Sequence, residues 1–185
     1  MMAMLGFDLH RGLLAAADRP APLRADALLD ALPDGPATVL LLEGLTNTDN
    51  VGACFRNAAA LGAHALLLDD HCCDPLYRKA IRVSAGHALG LPFNNPGEPI
   101  DALLDALEAR GFTTAALTLS DRALPLERAS RPAPRLALLL GTEGPGLSPR
   151  AHQRAHLHLR IPMTPGVDSL NVATAAAVAL FALRH

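Results

Sequence analysis

The feature that most constrains this chain is a repeated alternation of short apolar runs with stretches of helical spacing, starting at Thr38. TVLLLEG (38–44), ALLLDD (65–70), TTAALTL (113–119), RLALLL (135–140) and HLHLRI (156–161) read as strands. Between them, Val51, Cys54, Phe55, Ala58 and Leu61 fall at helical spacing. Asp74 and Pro75 form an N-cap and first-turn pair ahead of a further helix, and DALLDALEARG (101–111) closes on a C-cap glycine, Gly111. A small-residue helix follows from about Leu170 to Leu183. Buried strands alternating with helices predict an α/β fold, a mostly parallel sheet flanked by helices on both faces.

Composition supports one packed domain. Of 185 residues 50% are hydrophobic and 18% charged, below the roughly 25% charged usual for a globular domain, so the apolar content must be buried and disorder is excluded. The length allows one real core. There is no uninterrupted apolar run long enough to span a membrane and no signal-peptide order at the start, so the expectation is a cytoplasmic protein without a membrane partner. Cys54, Cys72 and Cys73 are odd in number and form no CxxC motif, which fits a reducing compartment.

Residues 1–36 form a lead-in interrupted by Pro20, Pro22, Pro33 and Pro36, with a short helical patch at Leu28 to Leu32; residues 37–185 form the main domain. The 124–134 segment reads as the most loop-like interior stretch.

The formal net charge of -2 hides an asymmetry. Residues 1–121 carry fifteen acidic and eight basic residues, whereas Arg122 to Arg160 holds seven arginines against Glu127 and Glu143. This stretch reads either as a solvated basic face or as a phosphate-contacting surface. Few aromatics argue against base stacking as the main grip. His152, His156 and His158 are expected to share no common face, and His71 beside Cys72 and Cys73 makes no convincing metal cluster, so no metal is expected.

In an open parallel sheet ligands bind outside the carboxyl ends of the strands. Three polar, glycine-containing stretches follow strand candidates there: EGLTNTDNVGACFRNA (43–58), GTEGPGLSP (141–149) and PMTPGVDSLN (162–171). No GxGxxG, GxxxxGK[ST] or GxSxG motif is present, which argues against a dehydrogenase, a P-loop enzyme and a serine hydrolase. Asn47 and Asn50 are candidate helix caps, Arg56 leaves a small, apolar helical turn, and Ser169 is a candidate N-cap for the last helix.

Taken together, N-T-D-N-V-G-A-C-F-R-N-A, L-L-L-G-T-E-G-P-G-L-S and I-P-M-T-P-G-V-D-S-L-N-V-A resemble the three signature motifs of the SpoU/TrmH-type RNA 2'-O-ribose methyltransferases of the SPOUT superfamily. The resemblance covers about residues 38–184. It implies a SPOUT α/β knot with a C-terminal deep trefoil, a homodimer, an RNA substrate (rRNA or tRNA) and S-adenosyl-L-methionine as methyl donor. The donor would be held by Leu139, Leu140, Gly141, Thr142, Glu143, Gly144, Ile161, Met163, Ser169, Leu170 and Asn171. Arg56 would stand closest to the reacting hydroxyl and contact RNA, with Arg128, Arg131, Arg150 and Arg154 as further RNA-binding residues. Asn50 would hold Arg56 and its loop in place, Glu143 would organise the site, and Ser169 and Asn171 would support cofactor and substrate.

Many relatives of this type carry a separate N-terminal RNA-binding domain, and residues 7–20 resemble the junction that follows it. The lead-in is therefore either a linker remnant of such a domain or the start of a protein that recognises RNA through its dimer surface alone. Two other functional classes compete with RNA methylation: a noncatalytic RNA-binding or assembly protein that keeps the knot, and another cofactor-binding parallel α/β enzyme.

Overall fold

The computed structural model describes residues 17–184, so the 7–16 portion of the junction-like stretch lies outside the described residues. Six strands form one parallel sheet: β1 (Ala37–Leu42), β2 (Ala65–Leu68), β3 (Thr113–Leu117), β4 (Leu124–Pro125), β5 (Arg135–Leu140) and β6 (Leu157–Arg160), in the order β2-β1-β5-β3-β6-β4. The helices are α1 (Ala25–Asp30), α2 (Thr48–Ala60), α3 (Arg78–Val83), α4 (Ile100–Ala109), α5 (Pro149–Arg154) and α6 (Val172–Ala182), with short 3-10 turns at His87–Leu89 and Leu126–Arg128.

Central strands are apolar throughout because both faces are covered. Leu40, Leu42, Leu136, Leu138 and Leu140 point to a layer holding α2 and α6, where Phe55 is fully buried and meets Phe93 edge-on at 5.4 Å. Val39, Leu41, Ala137 and Leu139 point to the opposite layer, against α1, α4 and α5. The lead-in thus contributes Ala25, Leu28 and Leu29 to the same core as the sheet. Helix α3 packs on α2, outside the first layer, at a crossing that only glycine permits. A Cβ on Gly52 would sit 2.6 Å from the Ala80 carbonyl oxygen.

Several local expectations change. Asp74 does not start a helix: its side chain accepts from the Leu76 N–H at 2.9 Å, a local turn that competes with helix, and α3 begins at Arg78. Gly111 does follow α4 with φ +68°, and the Phe112 N–H returns to the Leu107 carbonyl as a C-terminal cap requires. The 124–134 stretch holds the edge strand β4, where Pro125 costs no interior ladder bond. Helix α5 starts from Ser148 as N-cap ahead of Pro149. No described helix is long and apolar enough to cross a membrane.

Candidate active site at the carboxyl end of the sheet

The carboxyl ends of β3, β5 and β6 open into a cleft of about 390 Å³, within the roughly 300–1,000 Å³ range of small-molecule sites. One wall is the loop after β5, Gly141 to Leu147; another is the segment after β6, with Ile161, Met163, Ser169 and Leu170. Of the expected cofactor residues, Leu140, Gly141, Thr142, Glu143 and Gly144 also line it. Leu139 is instead fully buried on the far face of β5, and Asn171 is exposed and does not line the cleft.

The β5 loop is tightly folded. Its Gly146 N–H donates to the Thr142 carbonyl at 3.1 Å, which folds the chain back onto Gly141. A Cβ on Gly141 would lie 2.1 Å from the Gly146 carbonyl carbon, so no other residue fits. Glu43, at the end of β1 and only 7% exposed, accepts from the Ser148 N–H at 2.8 Å and anchors the far end of the loop.

The three polar stretches meet at the rim. Asn50, 8% exposed on the first turn of α2, donates to Glu143 Oε1 at 3.1 Å. Asn171 donates to the same oxygen at 3.0 Å and to Asn50 Oδ1 at 2.9 Å. Its own Oδ1 accepts from the Ala173 and Thr174 N–H groups, so Asn171, not Ser169, caps α6, and its oxygen reaches two otherwise orphaned donors. Asn47 caps α2, while Asn50 is spent on the interlock. Asn57, which sequence reasoning passed over, donates to the Ala173 carbonyl at 2.7 Å and ties α2 to α6.

Arg56 is exposed on α2 and has no hydrogen-bond or ion-pair partner among the described residues; Asp49, on the same helix, pairs with Lys79 at 2.8 Å. The arginines of the basic stretch fare differently. Arg131 gives four hydrogen bonds, to Thr38 Oγ1 and the carbonyls of Leu183, Ala37 and Pro134. Arg150 pairs with Asp101, and Arg154 reaches Asp101, Asp105 and Glu108. Arg128 is exposed and free among the described residues. Helix α5, which bears Arg150 and Arg154, lies on the opposite sheet face from Arg56.

Sequence reasoning also missed cleft residues at the end of β3, Leu117 to Leu119, and His152 on α5. The rule that placed the other loops, ligands beyond the carboxyl ends of strands, applies to β3 equally. His152 corrects the histidine expectation as well: it stacks on His158, centroids 5.5 Å apart and planes 13° off parallel, and His158 Nε2 donates to the His152 carbonyl at 3.0 Å. The short turn between α5 and β6 brings the two rings together. His71 stands with Asp69 and Asp70, of which Asp69 accepts from the Gly44 and His71 N–H groups.

A fully parallel sheet with a cleft at its carboxyl end, ringed by loops from three separate strands and locked by side-chain amides on one carboxylate, defines a cofactor-cleft protein of the α/β type. Its particular kind follows from comparison with known proteins. The SpoU rRNA Methylase family profile matches residues 37–181, and the chain belongs to that family. It is 44% identical over 184 residues to a tRNA/rRNA methyltransferase of Mycobacterium tuberculosis that is itself uncharacterized, covering 98% of this chain and 62% of the relative. It is 32% identical over 182 residues to a 23S rRNA (guanosine-2'-O-)-methyltransferase of Ralstonia nicotianae, covering 98% of this chain and 72% of that one. Among solved structures, an AdoMet-bound rRNA methyltransferase from Sinorhizobium meliloti superposes with TM-score 0.78 at 26% identity, covering 90% of this chain and 60% of that one. The chain therefore spans about three fifths of the mycobacterial relative.

Proposed function

We propose that this protein transfers a methyl group from S-adenosyl-L-methionine to a ribose 2'-hydroxyl of rRNA or tRNA. The observation that carries the reading is the Asn50–Glu143–Asn171 interlock, which draws the three family motifs together at the rim of one cleft. The cleft suits the cofactor: its volume is adequate, Gly141 lets backbone approach closely, and Leu117, Leu119, Ile161 and Leu170 offer apolar walls between exposed backbone groups. The AdoMet-bound relatives support the same assignment. When bound, the cofactor supplies an electrophilic methyl on a cationic sulfur.

The chain's residues then have alignment as their main task. Arg56 acts through its guanidinium fork, which offers N–H donors and no acceptor. It orients the 2'-hydroxyl and stabilises the negative charge that develops on its oxygen. With the cofactor in the cleft, that oxygen would take the methyl carbon as the carbon–sulfur bond broke, and the hydroxyl proton would leave to solvent or a substrate phosphate. Asn50 holds the first turn of α2, and hence the origin of Arg56, against Glu143. Asn171 fixes the opposite loop, including Ser169 and Leu170, by the same carboxylate.

This reading includes the trefoil knot and a homodimer. Strand β6 sits between β3 and β4, and the chain beyond it returns to pack α6 on α2, the arrangement from which a C-terminal thread is inferred. For the dimer, α6 leaves Val178 and Phe181 exposed beside Leu61, Leu126, Ile161 and Pro162, an apolar groove of the kind a second copy covers.

The test is transfer of labelled methyl from S-adenosylmethionine to RNA from cells lacking this protein. An alkali-resistant 2'-O-methylated dinucleotide at one position is expected. Label on a base, or cofactor binding without transfer to any RNA fraction, rejects the reading.

A further inference from the structure

Arg56 and Arg82 are exposed without a partner among the described residues, and they stand on two helices packed against each other. Helices α2 and α3 carry Arg56, Arg78, Lys79 and Arg82 against a single carboxylate, Asp49, on a chain whose formal net charge is -2. Asp49 is matched by Lys79 at 2.8 Å, and Arg82 is exposed with no partner among the described residues. Tyr77, the one tyrosine of the chain, immediately precedes α3 and is 57% exposed. By contrast Arg131, Arg150 and Arg154 are spent on carbonyls and carboxylates of their own chain.

The geometry joins this basic face to the cleft. Asp49, Gly52 and Arg56 recur at i, i+3 and i+7, so they share one stripe of α2. That stripe faces α3: Asp49 meets Lys79, and Gly52 admits Ala80 and Val83 at contacts no side chain would tolerate. Arg56 emerges one turn, about 6 Å, beyond Gly52, at the edge of the contact. Asn50, next to Asp49, points the other way, into the interlock with Glu143 and Asn171. One helical turn therefore carries the site on one side and α3 on the other.

We propose that α3, through Tyr77, Lys79 and Arg82, together with Arg56 of α2, is the surface that seats the RNA strand beside the cleft. The cations lie along successive phosphates and Tyr77 stacks on an unpaired base. This rests on the RNA-methylation reading and adds where the substrate is gripped: on the α2 and α3 layer. An exposed aromatic among cations suits a single-stranded or bulged segment rather than a continuous duplex.

The test is equilibrium binding of a fluorescent, mixed-sequence single-stranded RNA of about 20 nucleotides, long enough for one such site, across a sodium chloride series. Arg82→Ala should weaken binding several-fold and reduce the slope of log affinity against log salt by about 0.7, the loss of one single-strand phosphate contact. Tyr77→Ala should weaken binding about tenfold or more with the slope unchanged. Arg110→Ala removes the same charge from the opposite sheet face and should leave binding and slope as in the parent protein. S-adenosylmethionine affinity, measured on every variant, should equal the parent's, because Tyr77 and Arg82 do not line the cleft. Parent-like RNA binding by both Tyr77→Ala and Arg82→Ala overturns this proposal alone. So does equal weakening by Arg110→Ala, which would reduce the effect to net charge. A parent protein that binds the cofactor but no RNA at any salt overturns the methylation reading and this one with it.

Discussion

Asn171 donates its side-chain amide to Asn50 Oδ1 at 2.9 Å, joining the loop before the last helix to a helical turn 121 residues earlier. The same side chain caps α6 and bonds Glu143, so a single amide serves both stability and site geometry.

Asn171→Ala should accordingly reveal two effects. Loss of the cap costs about 1 kcal/mol of stability, read as a lower melting temperature. Loss of the bridge frees Glu143 and the 162–171 segment, and single-turnover methyl transfer should fall more than cap loss explains. Asn171→Ser, which can still cap but cannot span to Asn50 and Glu143, should recover the melting temperature without recovering the rate. Equal recovery of both would show that the interlock has no role in catalysis.

Arg56→Ala should reduce methyl transfer by about 100-fold or more, the usual scale for removing a group that stabilises developing oxyanion charge. Exposed and unpartnered, Arg56 contributes little to folding. Melting temperature and cofactor affinity should stay at parent values, and calorimetric titration of the variant checks the second. A folded Arg56→Ala protein with near-parent turnover would remove Arg56 from the mechanism.

Gly141→Ala inserts a methyl where the Gly146 carbonyl carbon stands 2.1 Å away and the Leu147 nitrogen 2.2 Å away, backbone that cannot yield as a side chain could. Overpacking of this kind costs about 1–3 kcal/mol. Because the displaced backbone is the cleft wall, S-adenosylmethionine binding should be lost before folding is. Chemical denaturation and cofactor titration on one sample separate the two, and unchanged cofactor affinity would count against the cleft as the donor site.

Phe181→Glu places a charge on the exposed apolar face of α6, where Phe181 is 56% exposed beneath the Arg184 guanidinium. Light scattering should show the proposed dimer converted to monomer. A variant that remains dimeric at micromolar concentration would move the interface elsewhere.

Acid should weaken the layer built on α4 and α5. Hydrogen bonds from Arg150 hold the Asp101 carboxyl below its usual range, and Arg110 does the same to Asp30. A carboxyl whose folded-state pKa is depressed stabilises the fold above its unfolded value, about 3.9, and loses that contribution as pH falls through the folded one. Melting temperature should therefore drop below about pH 4, modestly, because both pairs are exposed. The Asp30→Asn, Asp101→Asn double variant should flatten that drop, and an equally steep loss in the variant would assign the acid sensitivity to other groups.

Much of the fold is legible in the sequence because strands and helices declare themselves over a few residues. The RLALLL run is β5, the 101–111 pattern is α4 with Gly111 just past its end, and all three site loops fall beyond strands. The errors are equally local in origin. Asp74 satisfies a turn instead of a helix, and Asn171 out-competes Ser169 for the cap because its longer side chain reaches two N–H groups.

By itself the sequence determined the strand and helix alternation, the positions of the three motifs and the family they mark, since apolar periodicity and short-range backbone chemistry are written in neighbouring residues. Only the tertiary structure decided which charges remain available. Arg154 is neutralised by carboxylates on α4, Arg131 by carbonyls from β1 and the last helix turn, and Arg56 by nothing among the described residues. It likewise decided the Asn50–Glu143–Asn171 interlock and the His152–His158 stack. Such pairings depend on which segments the sheet order makes neighbours, and electrostatic and hydrogen-bond partners chosen across that distance leave no periodic trace in the chain.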